Sequence, residues 1–318
     1  MTKTIKIATR RSVLAMKQTQ IVKDALLSAH SHLKIELISM STQGDRQLDQ
    51  SLAKIGGKGL FVKELEQALL DGTADFAVHS MKDVPYQQPK GLHIEAILKR
   101  EDPRDALIHN TLSSRGLTTG SMLPDLSNLP QNARIGTSSL RRQLQLKQHR
   151  PDLTMIDIRG NVQTRLKKLE DGVVDAVILA VAGLKRLALE NAISEYLPIE
   201  AMLPAAGQGA IGVECRSQDA FCRGLLASLN HQATYQCVMA ERAVTYALQA
   251  SCSTPLAAYA VNHAGVITLK SQLFSLDGSQ MIEALAQGDA AQYQRIGEDA
   301  AKQLLEQGCA ALLKDHLC

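Results

Sequence analysis

Tryptophan is absent from the 318 residues, and four Phe and six Tyr bring the aromatic share to only 3%. So few aromatic faces leave little for bases to stack on, which argues against a nucleic-acid reader. No CxxC pair occurs either. The six cysteines, Cys215, Cys222, Cys237, Cys252, Cys309 and Cys318, show no ligand-like pairing with the nine histidines, so neither a zinc site nor a disulfide framework is indicated. They read as free thiols, and no metal is expected. No apolar run approaches a membrane span, and the opening MTKTIKIATRRS lacks the apolar stretch of a signal peptide. The expectation is a cytoplasmic protein that does not enter the membrane. The phosphate-cradling spacing GxxxxGK followed by Ser or Thr is also missing.

What is present describes an ordinary globular chain: 45% hydrophobic residues, a net charge of +3, and a length that suggests two or three domains. The positive charge is unevenly placed. Asn132 to Lys168 holds nine Lys or Arg against two Asp, a local signature for binding anions.

An internal echo appears at a shift of one hundred residues. Leu69, Asp71, Gly72 and Asp75 recur as Leu169, Asp171, Gly172 and Asp175. In both copies a helical pattern ends at Asp-Gly, where glycine can take the left-handed cap conformation, and a buried strand follows. The echo extends backwards: the strand Ile5 to Ala8 leads to Arg10, Arg11, Ser12 and a helix, and Arg134 to Gly136 leads to Thr137, Ser138, Ser139 and a helix bearing Arg141 and Arg142. Unpaired N–H groups at such helix starts favour anions before any side chain contributes. Two similar α/β lobes facing one cleft are therefore expected, with Lys99 to Arg104 and the Gly-rich Leu203 to Gly212 as crossovers that form a hinge. From about Leu229 the pattern changes to a long helix, three strands and a final helix, a separate small α+β domain. The expected division is 1–99 with 209–227 as lobe 1, 100–208 as lobe 2, and 228–318 as the C-terminal domain. Asn110 to Asn132, rich in Ser, Thr, Gly, Pro and Asn, reads as an extended surface loop.

Asp83 stands out in HSMKDVP because it follows an apolar strand, next to Lys82 and ahead of Pro85. Ligands of open α/β sheets bind at the carboxyl ends of strands. The plainer reading is an Asp that caps a turn. Lys54 and Lys58, set among glycines, fit a binding loop or a flexible lid equally well. Arg10, Arg141, Arg142, Arg159, Arg165 and Arg186 recur at strand ends or helix starts, and guanidinium pairs carboxylate bidentately, so a substrate with several carboxylates is indicated. Lys167 and Lys168 read as solvated surface charge. Cys252, in QASCSTP, should sit in a loop, but from the sequence alone it is no more than an inert thiol.

In order along the chain, KIATRRSVLA, GDRQLD, AKIGGKGLFVKELE, AVHSMKDVP, EDPRDAL, GTSSLRRQ, IRGNVQTRL, ILAVAGLKRL, LPAAGQGAIGVECR and the cysteine loop resemble the motif set of the porphobilinogen deaminase family, nearly end to end. The resemblance implies an enzyme that condenses four porphobilinogens head to tail, with release of ammonia, to hydroxymethylbilane for tetrapyrrole and haem biosynthesis. It implies a dipyrromethane cofactor held by a thioether to Cys252, with Asp83 as the catalytic carboxylate. It assigns Arg10, Ser12, Lys82, Thr137, Ser138, Ser139, Arg141, Arg142, Arg159, Arg165 and Arg186 to cofactor and substrate carboxylates, and more weakly Lys54, Lys58, Gln18 and Gln208. The implied fold is two lobes of the periplasmic-binding-protein type plus a small α+β domain presenting the cysteine. A monomer is expected, with its product handed to uroporphyrinogen III synthase. The chain departs from the usual pattern at Ala250 and Ser251, where many members have two glycines, and at Val13 and Lys17.

Two other readings remain at this point. A non-catalytic anion-binding protein of the same fold would need neither Asp83 nor Cys252. A nucleic-acid binder would use the basic Asn132 to Lys168 stretch and be sensitive to salt.

Overall fold

The computed structural model describes residues 4–46, 59–109, 126, 129–251 and 253–314. The chain opens with β1 (Thr4–Arg10), β2 (Lys34–Met40), β3 (Phe76–Ser80) and β4 (Leu92–Ile97), then crosses to β5 (Asp105–His109), β6 (Arg134–Gly136), β7 (Thr154–Ile156), β8 (Ala176–Ala180) and β9 (Glu195–Tyr196). It returns through β10 (Ile211–Arg216) and ends with β11 (Leu256–His263), β12 (Val266–Phe274) and β13 (Met281–Asp289).

The two large sheets have the same plan. The first runs β2-β1-β3-β10-β4 and the second β7-β6-β8-β5-β9. In each, the first three strands are parallel, and the fourth is an antiparallel strand that has just crossed from the other lobe. Lobe 2 is thus continuous in sequence, whereas lobe 1 is completed by the returning strand β10 and is discontinuous.

The sequence echo has a physical basis. Asp75 accepts from the Lys6 amide at 2.9 Å, and Asp175 accepts from the Arg134 amide at 2.7 Å, so the same carboxylate ties the same strand in both lobes. Each follows a helix closed by a left-handed glycine, Gly72 at φ +70° and Gly172 at φ +69°. No side chain crowds either position, so only the backbone conformation demands glycine there.

Parallel strands covered on both faces read as apolar runs, which explains FAVHS and AVILA. Lobe 1 packs Ile5, Ile7, Phe76 and Val213 against helix residues Val22 and Leu26. Lobe 2 packs Ile135, Ala176 and Ile178 against Leu146. Leu126 and Leu129, expected in a surface loop, are instead buried in that core, and the Arg150 guanidinium donates to the Leu126 carbonyl at 2.6 Å. Two apolar residues outweigh the polar composition around them.

Helices Gln232–Ala247 and Tyr293–Glu306 cover one face of the antiparallel β11-β12-β13 sheet. The expected crossovers run side by side: Leu98 N–H donates to Ile211 O at 3.0 Å and Glu101 N–H to Gly209 O at 3.2 Å. At Gly209, φ is +90° and a Cβ would lie 2.5 Å from the Glu101 carbonyl, so only glycine permits this approach.

Candidate functional site

A cleft of about 630 Å³ is lined by both lobes and by the C-terminal domain. Among the described residues, nine Lys or Arg side chains line it against two aspartates, Asp45 and Asp83.

Asp83 ends the 3-10 turn Met81–Asp83 at the carboxyl end of β3, half-buried and facing this cleft. Its neighbour Lys82 reaches Gln208 Oε1 at 3.4 Å. Burial, then the charge of Arg142, lowers the Lys82 ammonium to about 8. From lobe 2, Arg165 feels the Asp83 charge, yet burial and Arg142 lower it to about 10. Burial lowers Arg186 to about 10 as well.

The two lobes use their helix starts differently. Ser12 caps helix Val13–Ala29, its Oγ accepting from the Ala15 amide at 3.3 Å. Ser139 stands at the start of Leu140–His149 but makes no cap bond, which leaves its hydroxyl available to a ligand in the cleft. Ser138 lines the cleft beside it; Thr137 does not. Thr137 is fully buried and accepts from the Ser139 amide at 3.3 Å, shaping the turn from behind.

Arg141 and Arg142 are more deeply seated than their sequence position suggests, at 4% and 6% exposure. Both pair with Asp105, Arg141 at 2.7 Å and Arg142 at 2.7 and 3.1 Å. Burial alone would raise the Asp105 pKa, but the two guanidiniums hold it far below the usual carboxylate range. One carboxylate against two cations leaves positive charge facing the cleft. Gln208 also donates to Asp105 at 3.0 Å and to Pro103 O at 2.6 Å, so it braces the crossovers as well as lining the cleft. Gln18 lines the cleft and is bonded to Ser80. Arg10 is paired with Asp45 and stacks over Phe61, with its guanidinium carbon 4.3 Å from the ring centroid. Arg186 donates to Gly209 O at 2.6 Å, and Arg165 to Gly160 O at 3.0 Å. Arg159 lines the lobe 2 side.

Lys54, Lys58 and Cys252 lie outside the described residues. Ala250, Ser251 and Thr254 line the cleft. Four described cysteines, Cys215, Cys222, Cys237 and Cys309, are buried. Two groups of possible metal ligands come together, His93–Glu95–Cys215 and Asp75–Asp219–Cys222, both outside the cleft lining. In each, a carboxylate already pairs with an arginine, Arg223 or Arg216.

Sequence reasoning missed Asp105, Asp45, Arg11 and Arg242 as parts of the site. Asp105 and Asp45 sit inside motifs noted above, EDPRDAL and GDRQLD, but their partners are distant in sequence: 36 residues separate Asp105 from Arg141, and 35 separate Asp45 from Arg10.

Fold and cleft together define a two-lobed α/β protein whose interlobe cleft is built for an anion, with one carboxylate set among the cations. Solved structures with a likeness to it include the BvgS periplasmic VFT2 domain of Bordetella pertussis (14% identity, 71% of this chain and 86% of that one, TM-score 0.41). Others are the aliphatic sulphonate binding protein SsuA of Escherichia coli (12%, 78% and 71%, 0.41) and the substrate binding domain of a putative molybdenum ABC transporter of Clostridium difficile (11%, 75% and 96%, 0.43). The model of the porphobilinogen deaminase dipyromethane cofactor binding domain matches residues 5–223, that of the porphobilinogen deaminase C-terminal domain matches 235–306, and the chain belongs to this family. It is a transferase of tetrapyrrole biosynthesis with hydroxymethylbilane synthase activity and a dipyrromethane cofactor.

The residues present fit that cofactor. Its pyrroles carry acetate and propionate groups, and Lys82 and Arg165 are both lowered by burial and then by the nearby charge of Arg142. Bound carboxylates relieve that repulsion.

Proposed function

We propose that Asp83 is the catalytic carboxylate, that Cys252 holds the cofactor, and that the cationic residues of both lobes hold the carboxylates of cofactor and substrate. The observation that carries this reading is the placement of Asp83 in one cleft with cations from both lobes. When bound, the dipyrromethane supplies the pyrrole carbon to which the first substrate is joined. Asp83 faces the positive charge that develops on a substrate pyrrole as ammonia leaves, and it is placed to accept and return a pyrrole proton. Arg142, Arg165, Arg186, Arg159 and Lys82 balance the ligand carboxylates, with Arg141 fixed behind them. Ser12, Ser138 and Ser139 add neutral donors, and Gln18 and Gln208 line the wall. Thr137 acts from behind the turn. Lys54 and Lys58 belong to the same reading as further cations. Arg10 contributes only as far as Asp45 releases it.

Cys252 is supported by its neighbours in sequence, because Ala250, Ser251 and Thr254 line the cleft. A thioether is a poor leaving group, so a cysteine there anchors the primer through successive turnovers. The intact mass of the purified protein is expected to exceed the sequence mass by two condensed pyrrole units, mapped by digestion to residue 252. In Cys252→Ala the excess should vanish along with activity. An unmodified, inactive wild-type chain after incubation with porphobilinogen would favour the non-catalytic anion-binding reading.

Lys82 gives a pH dependence. An amine is charged well below its pKa and half neutral at it, so in the ligand-free cleft Lys82 loses its hold on carboxylates as pH rises through about 8, and bound carboxylates move that loss upward. The KM for porphobilinogen is expected to climb across that range in the wild type. Lys82→Arg, which stays charged, should flatten the climb; identical profiles would remove Lys82 from the binding set.

The division into 1–99 with 209–227, 100–208 and 228–318 belongs to this reading and is supported by the return of β10 to the first sheet. So does a cytoplasmic monomer that passes its product to uroporphyrinogen III synthase. Among the described residues no helix is long and apolar enough to cross a membrane.

A further inference from the structure

The turn bearing Asp83 is held from both ends by one carboxylate outside the cleft. Glu214 lies in β10 opposite Ala77 of β3, at 1% exposure, and does not line the cleft. Its Oε2 is 3.0 Å from Nε2 of His79, itself 5% exposed, and its Oε1 accepts from Gln88 Nε2 at 2.8 Å. His79 stands four residues before Asp83 and Gln88 five after it. Both stems of the loop are therefore fastened to the same group. The apex is held separately: the buried Arg242 donates to Val84 O at 3.0 Å and Pro85 O at 2.8 Å.

The same strand leads out of the hinge. β10 follows the return crossover directly, and the Met81 amide donates to Ala210 O at 3.0 Å. Burial would neutralise Glu214, but the His79 hydrogen bond keeps it low. The nearby Glu66 is pushed up to about 7, first by burial and then by Glu214, so this region accommodates one carboxylate charge and resists a second.

We propose that Glu214 is a positioning residue for the condensation: by clamping His79 and Gln88 it fixes the loop that aims Asp83 at the substrate. The proposal rests on Asp83 being the catalytic carboxylate. Glu214→Gln removes the charge and one of the two acceptor oxygens, so both partners stay bonded only if Gln88 turns its amide or His79 changes tautomer, which loosens the clamp. Because catalytic geometry is sensitive to displacements of an ångström, Glu214→Gln is expected to lower kcat per primer-loaded molecule by about 10- to 100-fold. KM should stay within about threefold, since of the cations proposed to hold carboxylates only Lys82 rides on this loop, while Arg142, Arg159, Arg165 and Arg186 belong to lobe 2.

Gln88→Leu, at a half-buried position, releases one stem and keeps the test open if Glu214→Gln fails to fold. It should show a smaller drop in kcat with the same unchanged KM. Added to Glu214→Gln it should bring little further loss, because both act on one loop. In an Asp83→Asn background, Glu214→Gln should also add nothing. If Glu214→Gln or Gln88→Leu lowers only melting temperature or yield, with kcat per loaded molecule intact, the clamp is structural and the proposal fails. If Asp83→Asn itself turns over normally, it is the parent assignment that falls.

Discussion

Asp83→Asn is expected to lower kcat by about 10²- to 10⁴-fold while the protein keeps its fold, its primer and most of its affinity for porphobilinogen. The size follows from what the carboxylate faces. Among the described residues Asp83 and Asp45 are the only acids lining the cleft, and Asp45 is occupied by Arg10. A positive charge developing on a substrate pyrrole therefore has one acidic group free to meet it, and asparagine offers shape without charge. Asp83→Glu keeps the charge on a longer arm and should retain part of the activity. The decisive measurement separates steps: ammonia release in single turnover, with intact mass reporting whether substrate adds to the primer. Retention of more than about a third of wild-type kcat in Asp83→Asn would end the assignment, since general acid–base groups contribute far more than that.

The second large effect concerns a residue that touches no ligand. Removing Asp105 as Asp105→Ala leaves two buried guanidiniums without their carboxylate, and breaking such a pair costs about 3–5 kcal/mol. At about 2–4 °C per kcal/mol, the melting temperature should fall by roughly 10 °C. Binding suffers too, because Arg142 and Arg141 lose the group that aims them. Adding Arg142→Met to Asp105→Ala should recover part of the melting temperature, since removing both partners is milder than removing one. It should not recover affinity. Calorimetry with intact mass for primer retention checks both statements; a melting temperature unchanged in Asp105→Ala would mean that the triad is hydrated and weak.

The duplication could be read in the sequence because it is local: Asp-Gly at a helix end, then Asp75 or Asp175 before a strand, uses signals within ten residues. The cation set could also be read, since helix starts and strand ends position Arg141, Arg142 and Arg165. What these cations bind inside the protein could not, because Asp105 and Asp45 reach them from another part of the chain. Strands Lys34–Met40 and Leu92–Ile97 went unread although Leu92, Ile94 and Ala96 alternate with His93 and Glu95, and Glu195–Tyr196 is too short to leave a pattern. The place of Ile211–Arg216, inserted between β3 and β4, depends on pairing across more than a hundred residues. Ser12 caps its helix, whereas Ser139 does not, and local sequence gives no reason for the difference.

The returning strand β10 also sets an order of assembly during synthesis. Every strand of the second sheet, β5 to β9, lies between residues 105 and 196, so that lobe can close once its own segment has left the ribosome. The first lobe begins earlier yet must wait: β3 and β4 are not neighbours, and the strand that joins them is translated only at residues 211–216. Nascent chains halted before that point would hold a closed inner lobe and an outer sheet with an open slot, an exposed pair of edges of the sort that invites aggregation.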